Sequence, residues 1–138
     1  TWHYNDMFGA KINADGKFEW LRKIPKKQMG SSGTGTMGFK FVNDASGYYF
    51  LYLDNLKNLH LPEDEAPRQH SNGYGGQVIV SRISKDGVVS KELLFDTREE
   101  EIMIFPTAFD RINGNQFIGR ARIRKNSFQP ILITTVLP

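Results

Sequence analysis

Two stretches of this chain, 71 residues apart, spell the same short pattern. Ala10-Lys11-Ile12-Asn13-Ala14-Asp15-Gly16 and Ser81-Arg82-Ile83-Ser84-Lys85-Asp86-Gly87 each place a basic residue and Ile ahead of two spacers and Asp-Gly. Asp-Gly between two β-like runs is a strong hairpin signal, because Gly adopts the positive φ that tight turns require. The flanking residues alternate as strands do. Phe8, Ala10 and Ile12 share one face of a first strand, and Phe18, Trp20 and Ile24 are expected on one face of its partner. In the second hairpin, Gln77 to Ile83 leads through the turn into Val88 to Phe95.

A second kind of hairpin lies between them. Gly38 to Val42 turns through Asn43-Asp44-Ala45-Ser46-Gly47 into Tyr48-Tyr49-Phe50-Leu51-Tyr52-Leu53. That last run is apolar on both faces, which predicts an inner strand covered from two sides. A similar pair follows at Ala108 to Ile112 and Gln116 to Ile118, around Asn113-Gly114-Asn115, and Gln129 to Val136 supplies one more strand. The Gly47 and Gly114 hairpins are 67 residues apart. Residues 38–95 therefore read as one complete four-stranded antiparallel meander, 8–24 as the last two strands of a preceding unit, and 107–136 as the first three of a following one. No segment sustains a helical period; Asn55 to His60 and Glu99-Glu100-Glu101 suffice for single turns. The expected fold is all-β and antiparallel, one domain over 1–138, built as a partial propeller-like set of meanders, with a β-sandwich or closed β-barrel as the alternative.

Composition narrows the chemistry. The chain has no Cys, so disulfides, thiol nucleophiles and Cys-ligated zinc or iron–sulfur sites are excluded. No apolar run approaches the roughly 18 residues of a membrane-spanning helix. The chain begins at Thr1 with no charged-then-apolar leader, as expected of a processed product or a piece of something longer. A formal charge of +3 is unevenly spread: residues 1–40 carry seven Lys/Arg against three Asp/Glu, 41–105 carry six against eleven, and 106–138 carry five against one. Such alternation suits complementary surfaces within one fold or assembly better than a nucleic-acid site.

The run Phe8 to Trp20, followed by Ile24 and Gln28, resembles blade repeats of uncharacterised bacterial β-propeller-like proteins, in which a strand ending in Lys-Ile or Lys-Leu meets an Asp-Gly or Asn-Gly turn and a strand containing Trp. Gln77 to Leu94 and Asn115 to Ile123 are similar in kind. The resemblance implies a propeller-like architecture, a structural or binding role, and a periplasmic or extracellular location. The chain departs from that pattern in holding only two to two and a half units, whereas about four or more close a ring.

Candidate sites are few. His60 and His70 flank the acidic loop 61–69, and two imidazoles with Glu63, Asp64 and Glu65 have metal-binding chemistry; the spacing matches no ligand motif, and a solvated connection is the expectation. Gly30 to Gly38 is Gly-rich but lacks the Lys-Ser/Thr and the helix of a P-loop, so it reads as a connecting loop. Arg120, Arg122 and Arg124 alternate along one strand and form a basic stripe with Lys125, on a face that also carries Ile118 but no aromatic platform for bases. Tyr74, in a Gly-rich turn, has the ring to stack on a sugar and serves equally to pin its own loop. No catalytic constellation can be assembled: there is no Gly-x-Ser-x-Gly elbow, and nothing singles out a carboxylate pair. The expected function is a non-enzymatic structural or protein-interaction module without a cofactor, binding a protein partner or a second copy through open edge strands. A carbohydrate-binding or carbohydrate-active domain is the alternative, and a basic nucleic-acid binder the next. Trp20, Phe50, Leu51, Leu53, Ile79, Val80, Leu93 and Phe117 are expected to be buried, and Phe8, Ile12, Ile131 and Ile133 to lie along open edges.

Overall fold

Eleven strands in three separate sheets make up the computed structural model, which describes residues 1–30, 36–71, 76–123 and 127–135. Sheet A holds β1 (Trp2–Ile12), β2 (Phe18–Gly30) and the short β5 (His70–Ser71). Sheet B is the expected meander, β3 (Lys40–Asp44), β4 (Gly47–Asp54), β6 (Gln77–Ser84) and β7 (Val89–Asp96), all antiparallel in that order. Sheet C joins β8 (Ile102–Ile104), β9 (Asp110–Asn113), β10 (Gln116–Ile123) and β11 (Ser127–Thr134) around β10. Both Asp-Gly turns close the expected hairpins, β1–β2 and β6–β7. Among the described residues helix is limited to two single 3₁₀ turns, Leu56–Asn58 and Pro106–Ala108.

The sheets stack face to face, with B in the middle. Alternation along β4 decides this. Phe50 and Tyr52 join Ile79 and Ile83 of β6 against Met7, Trp20 and Ile24 of sheet A. The intervening Leu51 and Leu53 join Val78 against Met103, Ile104, Phe109, Phe117 and Ala121 around sheet C. A strand apolar on both faces thus buries both. None of the three sheets closes on itself, which sets aside the closed barrel and leaves a layered arrangement like a sandwich with an added layer.

Several details differ from the sequence reading. Sheet A contains one parallel pair, β2 with β5, because the chain returns from β4 to lay His70 beside Gln28 before entering β6. Phe18 does not share a face with Trp20 and Ile24. The pairing shifts by one residue between Lys11/Trp20 and Ile12/Phe18, so the extra residue in β2 turns Phe18 outward. A second shift opposite Asp6 accommodates Pro25, whose missing N–H is tolerated at a bulge, and the Asp6 carboxylate accepts from Lys26 N at 3.0 Å. Sheet C begins earlier than residue 107, since β8 also pairs with β10. Ile131 and Ile133 lie on β11, an edge strand of sheet C as expected, but their side chains pack against the B–C core.

Six of the eight residues expected in the core are buried and Val80 is half-buried; Leu93 is 39% exposed because β7 is the edge of sheet B. Truncating Phe50 (5% exposed) to Ala is expected to cost about 3–5 kcal/mol in urea unfolding, whereas Leu93→Ala costs under about 1 kcal/mol. Equal losses would show that β4 is no more internal than β7.

Candidate functional site

The contact between sheets A and B is built on the second Asp-Gly turn. Gly87 has φ of 86°, and a Cβ placed there would lie 2.8 Å from the Trp20 ring and 3.1 Å from the Arg22 guanidinium. The indole Nε1 of Trp20 donates to Lys85 O at 3.1 Å, and Arg22 Nε donates to Gly87 O at 2.6 Å. The register shift that turns Phe18 outward is what aims Trp20, Arg22 and Ile24 at sheet B.

Deeper in the same seam lies a buried polar cluster. Lys26 is 1% exposed, and its ammonium donates to Tyr4 O at 2.8 Å and to Gln28 Oε1 at 2.9 Å. Gln28, fully buried, donates to Leu53 O at 2.6 Å and accepts from Gly38 N at 2.9 Å. Asp54, at the end of β4, accepts from Asn55 N at 2.8 Å and from Asn58 Nδ2 at 2.7 Å. Asn58 then clasps Arg68 in both directions, donating to its O and accepting from its N, each at 2.8 Å. These bonds tie residues 54–70 into a closed loop whose return strand is β5. His70 is buried with its ring against Gly76, where a side chain would collide with it.

Burial sets the protonation of this cluster. It pulls the Lys26 ammonium down to about 8, against the attraction of Asp54 and Asp6. It drives the His70 imidazole down to about 4, helped by the Lys26 charge. It raises Asp54 against the hydrogen bonds from Asn58 and Asn55, and lowers the half-buried Lys91, which Asp54 partly restores. Asp54 Oδ2 and His70 Nε2 make no hydrogen bond with a described residue. Among the described residues no three His, Asp or Glu side chains gather as a metal-ligating group. The cluster holds two sheets and a loop together; it presents no nucleophile beside a base at a solvent-facing position.

The outward faces of the stack are unusual for solvated surfaces. On sheet A, Phe8 is 65% exposed, Phe18 68%, and Ile12 and Leu21 nearly as much. On sheet C, Ile112, Ile118, Phe128 and Leu132 are exposed. Several large apolar side chains thus stand side by side on each open sheet.

The residues singled out from sequence are scattered. His60 is exposed beside an open cleft of about 340 Å³ that Lys23, Glu63 and Lys91 help to line; His70 lies inside the buried cluster, so the two histidines do not form one site. Arg120 is exposed and Arg122 half-buried on the outer face of sheet C, with Ile118 as expected. That face does carry an aromatic ring, contrary to the sequence reading. Phe128 of β11 stands opposite Arg122, and the Arg120 guanidinium lies 3.9 Å from its ring centroid. The partner came from the next strand, and only the β10–β11 register reveals it. Tyr74, Arg124 and most of the Gly30–Gly38 stretch lie outside the described residues. Trp20 with Arg22 was missed as a contact-forming pair, although the Asp-Gly repeat followed by Trp was its signal. No helix is long and apolar enough to cross a membrane among the described residues. Compared with models of protein families, with curated proteins and with solved structures, the chain has no match.

Two measurements check this seam. Gly87→Ala is expected to destabilise more than Gly16→Ala, since both strain a positive φ but only the first drives a methyl into Trp20; equal losses by thermal melting would mean the indole does not cap the turn. His70 titrates near 4 when folded and near 6.5 when unfolded. Between those values the unfolded chain holds the extra proton, so stability falls as pH falls from 6.5 and levels off below 4, a loss of about 3 kcal/mol. In His70→Gln the acid limb of the stability profile flattens by that amount; an unchanged limb would place the imidazole in solvent.

Proposed function

We propose that this chain is a non-enzymatic structural and protein-interaction module, a section of a propeller-like series of stacked sheets that receives further sheets on its outer faces. One observation carries the reading. The outer face of sheet A repeats, at the 71-residue offset, the face of sheet B that sheet A covers. Ile79 and Ile83 are buried in the A–B core and Val89 packs against it, while their counterparts Phe8, Ile12 and Phe18 stand in solvent. A surface patterned like a buried one is a docking surface for a similar partner. The open order of the sheets supports the same reading, since each presents an unpaired face or edge at the ends of the stack.

For the isolated chain, the complementary apolar face on offer is the outer face of sheet C of a second copy. Such contact is head-to-tail, joining two different patches. Sedimentation velocity from micromolar to millimolar concentration is expected to show a rising sedimentation coefficient, abolished by Phe8→Glu combined with Phe18→Glu. A strict monomer throughout that range overturns the reading.

A further inference from the structure

The two Asp-Gly turns are one device in two environments. In the first, Asn13 N donates to Lys17 O at 2.8 Å and Gly16 N to Asn13 O at 2.9 Å. In the second, Ser84 N donates to Val88 O at 2.9 Å and Gly87 N to Ser84 O at 2.9 Å. Gly16 and Gly87 have φ of 83° and 86°. Every one of these positions is offset by 71 residues, so backbone geometry repeats along with sequence. Their surroundings do not. Gly87 is buried beneath Trp20 and Arg22, whereas nothing lies within 4 Å of the equivalent point on Gly16.

The acceptors used at the second turn are Lys85 O, taken by the indole, and Gly87 O, taken by the guanidinium. Their counterparts at the first turn are Ala14 O and Gly16 O, and no described residue donates to either. Around them stand Ile12 and Phe18, the exposed counterparts of Ile83 and Val89. Two free carbonyls, an uncovered glycine and an apolar border reproduce the receiving half of the A–B contact.

We infer that the Asp15–Gly16 turn is a capping site for a β-strand of a further sheet, one carrying an indole two residues before a guanidinium. The inference rests on the outer face of sheet A being a docking surface, and it names the chemistry that recognises the partner. The indole covers Gly16 and donates to Ala14 O, and the guanidinium donates to Gly16 O. A second copy does not supply this strand, because its own Trp20 and Arg22 are engaged at its own Gly87 turn. The occupant is therefore a strand of another sheet with the Trp-x-Arg spacing of β2.

The test uses the full chain, ¹⁵N-labelled, titrated with a synthetic peptide of the sequence Phe18 to Ile24. Saturable amide shifts at Ala14, Asp15, Gly16 and Lys17 are expected, with affinity weakened about tenfold or more when the peptide carries Trp20→Ala and Arg22→Ala. A second arm places residues 1–71 directly before Thr1, so that the 71-residue spacing continues through the junction. Hydrogen exchange of the Gly16 amide of the original chain is then expected to slow at least tenfold, and to return when the added copy carries the same two substitutions. Equal affinity for both peptides, shifts confined to other surfaces, or Gly16 exchange indifferent to the added Trp and Arg overturns the inference. Head-to-tail association that persists alongside such a negative result would leave the stacking proposal standing and remove only this site. Peptide capture by a strictly monomeric chain would do the reverse.

Discussion

Sheet B has two apolar faces, and the two sheets beside it are arranged to cover them. Along β4 the side chains alternate between two cores, Phe50 and Tyr52 on one side, Leu51 and Leu53 on the other. A lone meander would leave both of those faces in water, at roughly 25 cal/mol for each Å² of apolar surface exposed. Sheets A and C are the solution, each contributing one covering face. The outward faces of A and C then inherit the same problem, which is why Phe8, Phe18, Phe128 and Leu132 stand exposed at the two ends of the stack.

Apolar contact alone would let sheet A slide over sheet B, and the polar groups in the seam hold its position. Trp20 and Arg22 fasten the Asp86–Gly87 turn at one place, and Lys26, Gln28 and Asp54 fasten the end of β4 at another. Each hydrogen bond is directional, so the pair of fixings admits one alignment of the two sheets. The cost is a buried ammonium and a buried carboxylate, with no ion pair within 4 Å joining them among the described residues. Their charge is tolerated because backbone carbonyls and amides solvate it, and removing a single partner would leave the remainder uncompensated.

The proposed function rests on the same geometry. The buried cluster is sealed between sheets, so its shifted protonation serves cohesion. What the molecule offers to the outside is patterned surface: the ring of Phe128 under the Arg120 guanidinium on one end, and the apolar face with its uncapped turn on the other. Both support the proposed recognition by another folded sheet, where shape and hydrogen-bond register provide specificity.

The sequence by itself determined the hairpins, their strands and the two-sided character of β4, though not β5 or β8, because turn chemistry and period-two alternation are local properties written into neighbouring residues. The Asp-Gly repeat was legible for the same reason, down to the spacing that later equates Ile12 with Ile83. Only the tertiary structure decided which faces meet. The inserted residue in β2 reverses the direction of Phe18 relative to Trp20, a one-residue shift with no marker in composition. Likewise His70 was expected in a solvated connection and is instead a buried neighbour of Gly76, and Arg120 acquires its aromatic partner from a strand whose register is set across the hairpin. Leu93 was misplaced because alternation says that a strand has an apolar face, not whether a neighbouring strand lies beyond it. Contacts between residues far apart in the chain depend on how whole sheets stack, and stacking is fixed by the sum of many weak interactions that no short stretch of sequence contains.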